Sequence, residues 1–321
     1  MARWDQAKKF WNTTKEVSVR EIAKQTDKPF SIAIIGDEAQ RQAVIHRLYP
    51  EHAGDEISPE RSLIRAFDST DTTLGFPSDP ASDYIFIDAG GARRDAPQGL
   101  TLYSVEEMGG IDRVMERILD QRRDLWLSIA RRIPGFRPLV SERVIKDAAL
   151  ANAEFAMLNS LPSVIPVIAP LLPAAAIGDI FLLTKNQTMM LFKLAAAHDL
   201  PLDVRARSKD LAPLLGNAFG WRAVAREIVG AVPGGVGLVA KGAIAYAGTM
   251  AIGRALTKYY ETGQQPTRIQ IARLYREAYS GAKEIVAERL KAIRGRNGRG
   301  VPALPPAPVA EEDMEEPAVI E

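Results

Sequence analysis

The stretch Pro29-Phe-Ser-Ile-Ala-Ile-Ile-Gly36 decides how the N-terminal half folds. Its apolar residues are continuous rather than alternating, as in a strand buried on both faces of a parallel sheet, and the run stops at a glycine. Residues 39–49 then show helical spacing, with Ala43, Val44, Leu48 and Tyr49 available to face the sheet. Strand, glycine turn and helix open a βαβ unit. A second buried strand is expected in Asp83-Tyr-Ile-Phe-Ile-Asp-Ala-Gly-Gly91, with weaker strands near Ser62–Phe67 and Leu100–Val105. A helix from about Gly110 to Arg132 aligns Ile111, Met115, Ile118, Leu125 and Ile129 on one face. Pro134-Gly-Phe-Arg-Pro138 then breaks the chain. An α/β domain with a mainly parallel sheet is therefore expected over residues 27–133.

A glycine at the end of such a strand invites comparison with the phosphate loop, Gly-x-x-x-x-Gly-Lys-Ser/Thr. In that loop backbone amides curl round the phosphates, the lysine neutralises them and the hydroxyl holds magnesium. Gly36 stands in the first position, but Arg41, Gln42 and Ala43 replace the second glycine, the lysine and the hydroxyl. Asp37 and Glu38 add negative charge where a triphosphate would lie. Asp88-Ala-Gly-Gly91 fits the Asp-x-x-Gly pattern, in which the aspartate reaches magnesium and the glycine senses the γ-phosphate. The guanine-reading motif is absent from residues 92–140, and Thr184-Lys-Asn-Gln187 only imitates its start. The expected fold is a degenerate P-loop GTPase-like domain, with Gly36, Arg41, Gln42, Ala43, Asp88 and Gly91 as vestigial positions. The alternative is an α/β domain unrelated to GTPases; both readings predict no hydrolysis.

From Leu139 to about Ile293 apolar segments of helical length are separated by proline or glycine breaks, which predicts an all-α C-terminal domain over 139–293. Phe155–Thr184 carries one charge, Asp179, and Ile228–Gly253 carries one, Lys241. Either is long enough to cross a bilayer, which takes about 20 apolar residues. Four prolines in the first segment oppose a simple span, as does the basic stretch 185–227 between the two. The alternative is a bundle whose central helices are buried all round, with Asp179 and Lys241 paired. Pro233-Gly-Gly-Val-Gly237 reads as a helix–helix turn, and Gly242, Ala245, Gly248 and Gly253 as points of close helix contact, in lipid or in a protein core.

The two ends are of different character. Residues 1–26 form one amphipathic helix by pattern, with six basic residues against three acidic ones. Trp4, Lys8, Lys9, Trp11 and Lys15 are the residues expected to meet a membrane surface or a partner, the alternative being a helix packed on the protein's own core. Residues 294–321 turn from Gly/Arg to Pro/Ala to acidic composition, which predicts a disordered tail.

Composition excludes much chemistry. Lys plus Arg is 41 and Asp plus Glu 40 over 321 residues, so no global field recruits nucleic acid. Cysteine is absent, which removes disulfides, thiolate nucleophiles and cysteine-held metals. The three histidines, His46, His52 and His198, show no ligand spacing. No catalytic residue, cofactor, metal or small-molecule substrate is expected, and the start lacks the apolar core of a signal peptide, so export is not expected.

Three further stretches carry a family resemblance: Ala149-Leu-Ala-Asn-Ala-Glu-Phe-Ala156, Asp179-Ile-Phe-Leu-Leu-Thr-Lys-Asn-Gln187 and Ile244-Ala-Tyr-Ala-Gly-Thr-Met-Ala-Ile-Gly253. Residues 139–290 resemble the bacterial YcjF-like domain of unknown function, a helical domain that often follows a GTPase domain and many of whose members are regarded as membrane proteins. The resemblance implies that residues 27–133 are the GTPase-like partner in degenerate form, and it brings no catalytic residue. The expected role is a non-catalytic, membrane-associated scaffold or regulatory protein at the cytoplasmic face of the cell membrane, with integral insertion left open. A soluble regulator that binds a protein partner and a residual nucleotide binder are the alternatives.

Overall fold

The structure, a computed structural model, describes residues 19–50, 63–68, 83–90, 101–158, 186–203 and 237–297. Within them an α/β N-terminal part is followed by a helical C-terminal part. Helix α1 is described over residues 19–26 and leads into β1 (Phe30–Ile35). Then come α2 (Glu38–Leu48), β2 (Ile64–Phe67), β3 (Asp83–Asp88) and β4 (Leu102–Ser104). The four strands form one sheet in the order β2-β1-β3-β4, and every neighbouring pair is parallel. β1 and β3 pair along their full length, from Phe30↔Asp83 to Ile35↔Asp88. Ile32, Ile34, Ile85 and Ile87 are buried, as their unbroken apolar runs require. The chain leaves β1 for one side of the sheet and returns to the other side at β3. The switch point, where doubly wound sheets open a crevice beyond the strand ends, therefore lies between these two strands.

Two short helices close this part: α3 (Val105–Met108) and α4 (Ile111–Gln121). The single helix expected from Gly110 to Arg132 is interrupted. Arg122 leaves the helical region, a 3-10 turn spans Arg123–Leu125, and α5 (Trp126–Arg132) starts afresh. The physical reason is a side-chain donor: the Trp126 indole Nε1 donates to the Leu119 carbonyl at 2.6 Å. That carbonyl is the one the residue 123 amide would use in an unbroken helix.

At Pro134–Phe136 the chain makes a 3-10 turn and enters α6 (Arg137–Leu158). Gly135 is buried there, and a Cβ at this position would lie 2.4 Å from the Arg47 carbonyl oxygen and 2.8 Å from that of Leu48 at the end of α2. α7 spans residues 186–197, followed by α8 (Leu238–Thr262) and α9 (Arg268–Asn297). α8 packs against α6 on one side and α9 on the other. It is buried nearly all round from Gly242 to Leu256. Glycines allow this approach: a Cβ at Gly242 would lie 2.6 Å from Val286 Cγ1, and one at Gly253 would lie 2.6 Å from both γ-carbons of Ile145. The close contacts expected of these small residues are thus made within the protein.

A polar chain fixes the register of three helices. Asn152, fully buried on α6, donates to Thr249 Oγ1 on α8 at 2.9 Å and accepts from Asn186 on α7 at 3.0 Å. Thr249 passes its own proton to the Ala245 carbonyl at 2.9 Å. One hydrophobic core runs without interruption from Ile22 and the strands to Val286 on α9.

Lys241 is exposed on α8, so no burial cost demands a partner for it; this corrects the expectation of a buried pair with Asp179, which lies outside the described residues. Among the described residues no helix is long and apolar enough to cross a membrane. Most of the segment 155–184 and the tail 298–321 also lie outside them.

Candidate functional site

The crevice at the sheet's switch point is bounded by Gly36-Asp37 after β1 and by Asp88-Ala89-Gly90 at the end of β3. Only those two residues, Gly36 and Asp37, separate β1 from α2. Asp37 is the N-cap: its carboxylate accepts from the Gln40 amide at 2.8 Å, and Gln40 Oε1 accepts from the Asp37 amide at 2.9 Å. This reciprocal capping box starts the helix at Glu38. It also lays the Gln40 carboxamide across the crevice. A Cβ at Gly90 would lie 2.4 Å from Gln40 Oε1, and one at Gly36 would lie 3.1 Å from the same oxygen and 3.2 Å from Ala89 Cβ. Glycine at both positions is what lets the two strand ends and the Gln40 side chain share this space.

Several amides around the crevice are engaged inside the protein. Gly36 donates to the Phe67 carbonyl at 3.1 Å, Ala89 to that of Ile35 at 2.8 Å, and Gly90 to Asp88 Oδ1 at 3.1 Å. Arg41 follows Gln40 and turns inward, with only 13% of its side chain exposed. Its Nη1 donates to the carbonyls of Gly36 at 2.6 Å and Phe67 at 3.2 Å, tying the ends of β1 and β2 together. Glu38 at 2.5 Å and Asp68 at 3.7 Å surround its charge. The guanidinium therefore serves the protein's own carbonyls and carboxylates.

The positions named as a vestigial phosphate loop fall at the end of β1 and on the helix that follows it. Gly36 is at the crevice, but Arg41, Gln42 and Ala43 are residues of α2. Gln42 and Ala43 are exposed, and Gln42 donates to Glu38 Oε1 at 2.8 Å. A phosphate loop needs several residues of open backbone with inward amides; the capping box leaves two. Asp88 is at the crevice, 2% exposed, and beside it in the β3–β4 register stands Ser104, whose hydroxyl caps α3 by accepting from Glu107 at 3.3 Å. Gly91 lies outside the described residues, as do Trp4, Lys8, Lys9, Trp11 and Lys15. The described end of the N-terminal helix docks on the body, with Ile22 fully buried in the core.

Residue-type counting missed one buried pair. Ser141 on α6 and His198 just after α7 lie 3.2 Å apart, Oγ to Nε2, and both are buried. Burial, reinforced by the Arg137 charge, pushes the His198 imidazole down to about 4, so it is neutral at ordinary pH. With Ser141 at 1% exposure no substrate reaches the hydroxyl, and the pair acts as a tie between α6 and the turn that follows α7. Among the described residues no group of three or more His, Asp or Glu side chains is placed to hold a metal ion.

No family model matches the chain, and no curated protein or solved structure matches it either.

Proposed function

We propose that this protein is a non-catalytic scaffold or regulatory protein whose α/β part is a degenerate, GTPase-like body that presents a surface instead of binding nucleotide. The observation that carries the reading is Gln40: its carboxamide lies across the switch-point crevice against Gly36 and Gly90, and the Asp37 and Gly90 amides already have acceptors. Among the described residues a phosphate arriving there meets Asp37 and Glu38, while Arg41 is turned onto the Gly36 and Phe67 carbonyls. Calorimetry with GTP and with ATP, each with magnesium, is the test. No saturable heat at millimolar nucleotide is the expected result; binding with Kd below about 100 μM would overturn the proposal.

The proposal includes the YcjF-like character of the helical half and attachment to the cytoplasmic face of a membrane through Trp4, Lys8, Lys9, Trp11 and Lys15. The described part of the apolar segment 228–253 is enclosed between α6 and α9, which favours peripheral attachment over insertion. Fractionation separates these outcomes. Release from the membrane pellet by salt or carbonate is expected; retention through both washes would mean insertion, and recovery without any membrane would leave a protein partner as the target.

A further inference from the structure

Away from the sheet's switch point, α1, the turn before α5, α5, α6 and α7 converge on a cleft of about 870 Å³, a size typical of small-ligand sites. Its apolar floor is formed by Trp126, Leu127 and Val144. Leu127 and Val144 are buried, and the indole is fixed by its bond to Leu119. Most of the charges at the rim satisfy one another. Lys28 pairs with Asp83 and Asp124, Arg123 with Asp147, and Asp27 with Arg131. Glu21 accepts from Gln25 at 3.2 Å.

Two cations lining the cleft, Lys24 on α1 and Lys193 on α7, have no hydrogen bond or ion pair among the described residues. Lys24 is exposed and at ease in water, whereas Lys193 is not. It lies between the buried Phe192 and Leu194, and loss of water around the ammonium draws its pKa below the usual lysine range. Asp147 opposes that shift and Arg123 adds to it. A half-buried ammonium with no hydrogen bond or ion pair among the described residues is costly to keep, and its position beside an apolar floor defines what would relieve it.

We propose that this cleft binds a small organic carboxylate, with the carboxylate on Lys193 and the apolar body on Trp126, Leu127 and Val144. A carboxylate fits better than a phosphate. Among the described residues lining the cleft the one guanidinium, Arg123, is held by Asp147 and lies over the Trp126 ring at 5.0 Å, so it offers no free fork to a multiply charged group. A single ammonium complements a single negative charge. The proposal does not depend on the state of the Gln40 crevice.

Calorimetry of the full chain with octanoate, acetate and octanol tests it. Octanoate is expected to bind saturably with Kd below about 1 mM. Acetate, which lacks the body, and octanol, which lacks the charge, should each bind at least about tenfold more weakly. Lys193→Met should lose octanoate binding at least about tenfold with its melting transition intact, and Lys193→Gln serves if the methionine variant misfolds. A carboxylate favours the charged ammonium, so octanoate binding in alkaline buffer should take up protons, seen as different heats in two buffers of unlike ionisation enthalpy. That difference should vanish in the Lys193 variant. No saturable heat with octanoate, equal binding of octanol, or unchanged binding by the Lys193 variants would each overturn the proposal.

Discussion

Replacing Gly253 with alanine probes how closely α6 and α8 approach. In a helix interior alanine is favoured over glycine by about 1 kcal/mol, because the glycine backbone loses more freedom on folding. That gain is expected at Gly281 on α9, which is exposed and where a Cβ would meet nothing within 4 Å. At Gly253 the new methyl would lie 2.6 Å from both γ-carbons of Ile145 and 3.1 Å from its Cβ. Both branches of a stiff side chain are in the way, so rotating one aside brings in the other. Ile145 is itself 1% exposed and enclosed by the core. Overpacking of this kind costs about 1–3 kcal/mol. The upper part of that range applies, and after subtracting the helix gain Gly253→Ala should destabilise by about 1–2 kcal/mol. Urea unfolding followed by circular dichroism should show a lower midpoint for Gly253→Ala at unchanged slope and a raised midpoint for Gly281→Ala. In an Ile145→Ala background the Gly253 substitution should cease to destabilise. A Gly253→Ala protein as stable as the parent would refute the described packing of α6 on α8.

His198 gives a pH dependence with a definite sign. Its imidazole is held down to about 4 in the folded protein against an ordinary 6.5, so stability from its neutral form is complete above pH 6.5 and is lost as the pH falls towards 4. The loss approaches about 3 kcal/mol, and the decline between pH 7.5 and 4.5 in urea midpoints should be shallower in His198→Gln. Asn152→Ala would strip Thr249 and Asn186 of their partner in the buried chain, at a cost of about 1–3 kcal/mol by the same unfolding measurement.

The strands were legible because burial on both faces writes itself as an unbroken apolar run, as in Phe30–Ile35 and Tyr84–Ile87. Where α2 begins was legible too, in Asp37-x-x-Gln40, the spacing of a capping box. The apolar spacing that gives a helix over residues 39–49 passes over this polar signal and starts one residue later than the capped helix does. Other features depend on contacts that no local pattern encodes. Ser141 meets His198 from 57 residues away, and Asn152 meets Thr249 from 97. The break after Gln121 comes from where one indole points, while the apolar periodicity of residues 111–129 runs straight through it. The Lys193 cleft is likewise assembled from separate stretches of chain.

A proline-glycine break between a sheet and a set of helices usually marks a joint about which two bodies swing. The Gly135 turn works as a weld. Its Cα sits so close to the last carbonyls of α2 that no side chain fits between them, and Ile133 and Phe136, which flank the Pro134-Gly135 pair, are fully enclosed. Mechanically, α2 becomes a strut: its first turn closes the crevice over the sheet and its last rests on the root of α6. A load applied at one end of that strut is carried into the helices as displacement of a rigid part, with little slack at the junction to absorb it.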